Sequence, residues 1–138
     1  MLKKYSKKVV ALSFIFISMF ALVSTVYASY HYYLENEGQT VMEYSDSELS
    51  GNIYVKATFQ TQLYNGKLTY QLQKKGLFGY SNVGSKQTQS TYRKSQDQAW
   101  WYKNPKTMYR GFIELSKKDT NSVYAGLSGY LSVGENNH

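Results

Sequence analysis

The sequence predicts an all-β protein, a single antiparallel β-sandwich, and three observations carry that reading. Apolar side chains recur at every second position over several runs, so each run buries one face of an extended strand and wets the other. Clusters of Gly, Asn, Asp and Ser separate these runs and suit tight turns. The long polar stretch from Ser85 to Gln98 shows no helical period, and reads as an exposed edge strand or a surface loop.

The chain opens with a segment of a different kind. Lys3, Lys4, Lys7 and Lys8 precede an uncharged run from Val9 to Val26, and Val26-Tyr27-Ala28 offers small or β-branched residues where a signal peptidase reads. Residues 1–28 are therefore expected to form a signal-peptide helix, cleaved between Ala28 and Ser29, so that the mature protein is secreted. The apolar run is also about as long as the shortest membrane-spanning helix, roughly 17 to 18 residues, which makes an uncleaved anchor the competing reading. No cysteine follows Ala28 to carry a lipid, and no apolar tail ends the chain. Both points favour release, with membrane contact confined to the signal segment before cleavage. A mature chain of roughly 110 residues suits one domain, and without cysteine it must hold together by its core.

Losing the four leader lysines lowers the formal charge from +7 to +3. What remains is uneven. From Ser29 to Val55 the charged residues are Glu35, Glu37, Glu43, Asp46 and Glu48, with no Lys or Arg, whereas every base lies from Lys56 onward. Solvation accounts for scattered bases of this kind; attraction to an anionic polymer or headgroup outside the cell is the functional alternative. Nucleic acid is a poor partner for an exported chain.

Residues 29–51 read as an acidic arm with a candidate edge strand, 52–134 as the sandwich and 135–138 as a polar tail. Tyr30 to Leu34 and Thr40 to Tyr44 are short β-prone pieces around a turn at Glu35-Asn36-Glu37-Gly38. In the loop from Ser45 to Gly51, Asp46 and Glu48 lack the spacing of a calcium loop. Ile53 to Leu63 and Leu68 to Leu72 then alternate on either side of Asn65-Gly66, the dipeptide of a type I′ turn. This predicts a hairpin in which Phe59 faces Leu72, Thr61 faces Tyr70 and Leu63 faces Leu68. Leu77 to Val83, bracketed by Gly79 and Gly84, reads as a short strand that switches sheets.

Ala99-Trp100-Trp101-Tyr102 follows, with a turn expected at Lys103-Asn104-Pro105-Lys106. Adjacent side chains on a strand point to opposite faces, so one of Trp100 and Trp101 can plug the core while the other stands outside. Together with Tyr102 the outer indole is a candidate contact for a glycan or a partner protein, although both rings packing inside is the plainer alternative. Tyr109, Gly111, Ile113 and Leu115 share the apolar face of the next strand. Val123 to Val133 reads as the last, with a bulge expected at Gly126 and Gly129.

Tyr70-Gln71-Leu72-Gln73-Lys74-Lys75, Tyr109-Arg110-Gly111-Phe112-Ile113 and Gly126-Leu127-Ser128-Gly129-Tyr130-Leu131-Ser132-Val133 resemble strands of small secreted immunoglobulin-like or fibronectin-like β-sandwich proteins of Gram-positive bacteria. The resemblance implies an immunoglobulin-like sandwich of two packed antiparallel sheets, its strand order left open, and a tyrosine corner at Tyr109, whose hydroxyl would bond the backbone just upstream. The group shares no activity that could be carried over.

Reactive chemistry is sparse. There is no Cys, and the histidines of the mature chain are His31 on the arm and His138 at the tail, too few for a zinc site and poorly placed for a triad. Glu114 and Asp119 have nothing near them in sequence to raise either pKa for glycosidase work. The expectation is a non-enzymatic protein without cofactor or metal, binding a cell-wall polymer or surface protein. The alternative is a secreted antibacterial protein, similar in size and aromatic content to lactococcin 972-type bacteriocins.

Overall fold

Alternation becomes structure strand by strand. A computed structural model of the chain describes residues 29–60, 66–118 and 126–136. The proposed leader, with its cleavage residue Ala28, lies outside them. Among the described residues there are eight strands and no helix: β1 (Tyr30–Leu34), β2 (Thr40–Tyr44), β3 (Leu49–Thr58), β4 (Lys67–Gly76), β5 (Gly79–Ser90), β6 (Gln96–Thr107), β7 (Tyr109–Lys117) and β8 (Leu127–Glu135). They form two antiparallel sheets of four, ordered β1-β8-β3-β6 and β2-β7-β4-β5. The protein is a β-sandwich.

Within that class the connectivity is not the immunoglobulin-like one. The chain runs out through β1 to β4 and returns through β5 to β8, each outgoing strand pairing with its mirror image: β1 with β8, β2 with β7, β3 with β6 and β4 with β5. This nested, doubled-back ribbon is the jelly-roll arrangement. Alternation decides which face of a strand is buried and leaves open which neighbour it pairs with. Short strand strings therefore cannot separate the two connectivities.

The same distinction overturns the expected hairpin at Asn65-Gly66. β3 and β4 lie in opposite sheets: Leu72 is flanked by Val83 and Gly111, while the Phe59 amide donates to the Ser95 carbonyl at 2.8 Å. Apolar positions matched across a supposed turn are equally well matched when two strands face each other through a core. Thr61 to Asn65 fall outside the described residues, and Gly66 accepts from the Thr91 amide at 2.9 Å and from its hydroxyl at 3.1 Å.

Four other expectations change. The acidic arm is integral to the sandwich, because β1 and β2 are edge strands, one in each sheet, and Tyr32, Leu34 and Leu49 are core residues. The true local hairpin is β4–β5, closed where Gly76 pairs with Gly79; β5 stays in one sheet and takes in much of the polar stretch. The turn expected at residues 103–106 is an irregularity inside β6, where Lys103 takes φ +57 and the register slips between Gly51↔Asn104 and Ile53↔Trp101. Finally, β8 carries no register shift at Gly129.

Among the described residues, eighteen buried apolar side chains form the core. Ile53, Val55 and Ala57 of β3 and Leu127, Leu131 and Val133 of β8 come from one sheet; Leu68, Tyr70 and Leu72 of β4 and Tyr109, Ile113 and Leu115 of β7 come from the other. Each set follows alternate positions of its strand, with Gly111 and Gly129 filling the gaps in β7 and β8, the consequence of alternate side chains taking opposite faces.

Candidate functional site

Trp100 and Trp101 divide between the two faces of β6. Trp101 is 6 % exposed and enters the sandwich near its open side, where its Nε1–H donates to the Ser85 carbonyl at 3.3 Å. Gly84 makes room for it: with φ +59, a β-carbon there would lie 3.3 Å from the indole Cδ1. Trp100 is half-buried on the outer face, and Tyr102, two residues on along the same face, is 65 % exposed. Their rings lie 6.4 Å apart and nearly parallel, at 13°. Tyr54 adds a third ring, because β3 and β6 pair Tyr54 with Trp100, and it meets the indole edge-on at 5.1 Å.

The backbone around this aromatic ledge is held from both sides. The Asn104 amide donates to the Gly51 carbonyl at 3.0 Å and the Trp101 carbonyl at 2.8 Å, clasping the irregular turn of chain just past Tyr102. On the other side of β6, the Gln87 and Gln89 amides reach from β5 to the carbonyls of Trp100 (2.7 Å) and Gln98 (3.1 Å). Edge-strand acceptors of β6 are thereby satisfied by glutamines of the opposite sheet. Beyond the ledge the same outer face carries Lys56 opposite Gln98 and, on its other flank, Ser132. Three rings and a rim of hydroxyl, amide and ammonium groups make a surface suited to a flat, hydroxylated ligand.

Tyr54 escaped the sequence reading as a site residue. It stands on the wet face of its strand by alternation, but its place beside Trp100 depends on the β3–β6 pairing. Tyr109 is fully buried at the start of β7, where its hydroxyl donates to the carbonyl of Pro105, four residues upstream, and its amide donates to Ser45 Oγ at 3.0 Å. Burial raises the pKa of that hydroxyl. Tyr109 is thus a structural anchor for the β6–β7 bend rather than part of the ledge. Ser29, the first described residue, is exposed.

The outer face of the second sheet holds a cleft of about 250 Å³ lined by residues that include Gln71, Gln73, Asn82, Phe112 and Glu114. Its amides are largely engaged with one another and with the backbone. Gln73 donates to Asn82 Oδ1 at 2.8 Å and accepts from Arg110 Nε at 2.7 Å, and the Gln71 amide donates to the Leu72 carbonyl at 2.8 Å. Polar groups paired in this way stabilise the sheet surface more than they advertise a ligand. Glu43, on β2, has its carboxyl pKa raised chiefly by burial, with Asp46 adding to the effect. His31 is fixed on β1, 3.2 Å from Gln60 Oε1 and edge-on to Tyr130. Among the described residues no three His, Cys, Asp or Glu side chains gather into a metal-binding group.

No family model matches this chain, and no curated protein matches it either. Solved structures are similar at a distance. A protein from Sulfurospirillum deleyianum aligns over 79 % of this chain and 99 % of its own, at 6 % identity and a TM-score of 0.49. PirA aligns over 76 % and 90 % at 14 % identity and 0.43, and the Yersinia pseudotuberculosis-derived mitogen over 82 % and 88 % at 14 % identity and 0.41. Likenesses of this size carry no functional argument.

Proposed function

We propose that this protein is a secreted, non-enzymatic binding domain that holds an extracellular polymer of the cell wall across the ledge formed by Tyr54, Trp100 and Tyr102. The observation that carries the reading is the near-parallel pair Trp100 and Tyr102 on the outer face of β6, with Tyr102 65 % exposed. A folded domain gains little from leaving Tyr102 in water beside a half-buried indole, whereas a sugar ring laid on the pair exchanges apolar C–H surface for aromatic face. Lys56 and Ser132 nearby supply groups for hydroxyl or anionic substituents. The leader read at residues 1–28 supports export, and the small-secreted-protein resemblance supports the same compartment. An antibacterial role gains no separate support from the ledge.

Retention on isolated cell walls tests the proposal. Trp100→Ala and Tyr102→Ala are each expected to weaken binding by about 1 to 2 kcal/mol, roughly 5- to 30-fold, while leaving the urea midpoint near wild type. Trp101→Ala is the contrast, expected to lower stability by about 3 to 5 kcal/mol because it empties a core position. Unchanged retention in both outer-face variants would reject the ledge.

A further inference from the structure

At the far end of the β4–β5 hairpin the chain turns through Gly76-Leu77-Phe78-Gly79. Leu77 is 98 % and Phe78 103 % exposed, the most exposed large apolar side chains among the described residues. Turn chemistry does not ask for either. Gly76 pairs with Gly79, and Gly79 takes φ +113, so the glycines close the bend and the two central positions could hold the polar residues usual there. Two adjacent apolar side chains fully in water at the tip of a protruding hairpin have no role within the fold.

Their surroundings are ordered by depth. Directly behind the tip stand Lys74 and Lys75, both exposed. The Lys75 amide donates to the Met108 carbonyl at 2.9 Å and the Thr107 hydroxyl to the Lys75 carbonyl at 3.2 Å, which sets the β6–β7 bend, with exposed Lys106, beside the hairpin base. Tyr80 follows on β5, with the Arg110 guanidinium 4.2 Å from its ring centre and Tyr44 edge-on at 5.8 Å. The same end of the sandwich carries acids as well: Asp46 and Glu48 on the β2–β3 connection, and Glu135, whose carboxylate accepts from the Ser50 amide at 2.7 Å. Those acids belong to the β2–β3 and β8 side, and the charged residues nearest Leu77 and Phe78 in the hairpin itself are Lys74 and Lys75, both on the β4 arm.

We infer that the Leu77–Phe78 tip is a membrane-surface anchor, inserting into the headgroup boundary of a bilayer with anionic lipids while Lys74, Lys75 and Lys106 meet the phosphates. An apolar point, then cations and tyrosines, is the order of groups that a bilayer interface rewards. Depth is limited to the interfacial layer, about 5 to 10 Å, because the bend leaves backbone N–H and C=O groups that hydrocarbon would not solvate. A protein partner fits less well. Two side chains on a convex tip fall far short of the roughly 800 Å² per partner of a stable interface. This surface is separate from the Trp100 ledge, and wall retention and vesicle binding report on the two independently.

The test uses protein purified from the medium of an exporting host, its mass showing that residues 1–28 are gone, with vesicles of phosphatidylcholine alone or containing one third phosphatidylglycerol. Wild type is expected to co-sediment with the anionic vesicles and release in high salt, and the double variant Leu77→Ser/Phe78→Ser to lose at least about tenfold in affinity with an unchanged melting curve. In a Phe78→Trp variant the introduced indole should shift to shorter wavelength on vesicle addition and be quenched by lipids brominated near the headgroup. Equal sedimentation of wild type and the double variant, or an indole indifferent to vesicles, would overturn the inference. A dimer in solution that the double variant dissolves would also overturn it, assigning the tip to a second copy of this chain.

Discussion

Gly129 shows how much one missing side chain can hold. The Tyr32 hydroxyl donates to the Thr58 carbonyl at 2.7 Å, tying β1 to the end of β3 across β8, and Gly129 lies directly beneath that bond. A β-carbon there would sit 1.7 Å from the Thr58 oxygen and 3.0 Å from the Tyr32 oxygen. Gly129→Ala must push the strand end away, and is expected to cost about 3 kcal/mol or more, read as a lower urea midpoint. Tyr70 presents the opposite case. Its buried hydroxyl meets no partner at hydrogen-bonding geometry among the described residues, and the nearby Asp97 carboxylate adds to burial in opposing its ionisation. Tyr70→Phe removes an unpaid polar group and should stabilise the domain by about 1 kcal/mol, seen as a higher urea midpoint at unchanged slope. Neither effect is legible in the sequence. Gly129 reads there as a bulge and Tyr70 as one more alternating aromatic, because close approach and hydrogen-bond satisfaction depend on strands distant along the chain.

At the scale of elements, the faces of the strands were legible and their partners were not. Tyr109, Gly111, Ile113 and Leu115 are buried on β7 as alternation requires, and the two tryptophans part to opposite faces for the same reason. Asn65-Gly66 carries the stronger turn chemistry in the sequence, but paired glycines mark the Gly-Leu-Phe-Gly bend there as well. That bend gives the jelly roll its single pairing between strands consecutive in sequence among the described elements; the others widen progressively until Tyr30 meets Leu131. Closing the short loop costs least entropy, so β4–β5 is expected to form early and β1–β8 late. In a stopped-flow chevron, Leu72→Ala should mainly slow folding and Leu34→Ala mainly speed unfolding. The reverse partition would place the nucleus elsewhere.

For the whole molecule the buried tyrosines set an alkaline limit. Burial pushes the hydroxyls of Tyr32 and Tyr70 well above the ordinary phenol range, with Asp97 adding to the rise at Tyr70, and Tyr109 moves the same way. Above the unfolded phenol pKa of about 10 the unfolded chain releases protons that the native state retains, so stability falls as pH rises. Below about pH 10 the contribution is fully present; above it Tyr32 and Tyr70 should each remove about 1.4 kcal/mol per pH unit until their folded pKa is reached. Urea midpoints measured from pH 8 to 12 should therefore hold steady and then drop, and Tyr70→Phe should soften the drop. The charge asymmetry also acquires a shape. Most acids of the arm lie in the connections on either side of β2, and Asp46 and Glu48 share the end of the sandwich that carries Lys74, Lys75 and Lys106, so unlike charges meet at that end.

The sequence by itself determined that the folded part is built of strands and which face of each alternating strand is dry, because these follow from side-chain direction within a few residues; it left open whether one indole or neither stands outside. Tertiary structure alone decided the jelly-roll order, the placing of Tyr54 beside Trp100, the inclusion of the acidic arm and the exposure of Leu77 and Phe78. The physical reason is that hydrophobic burial is non-directional: it fixes what must leave water, and hydrogen-bond pairing between segments far apart in the chain selects the neighbours.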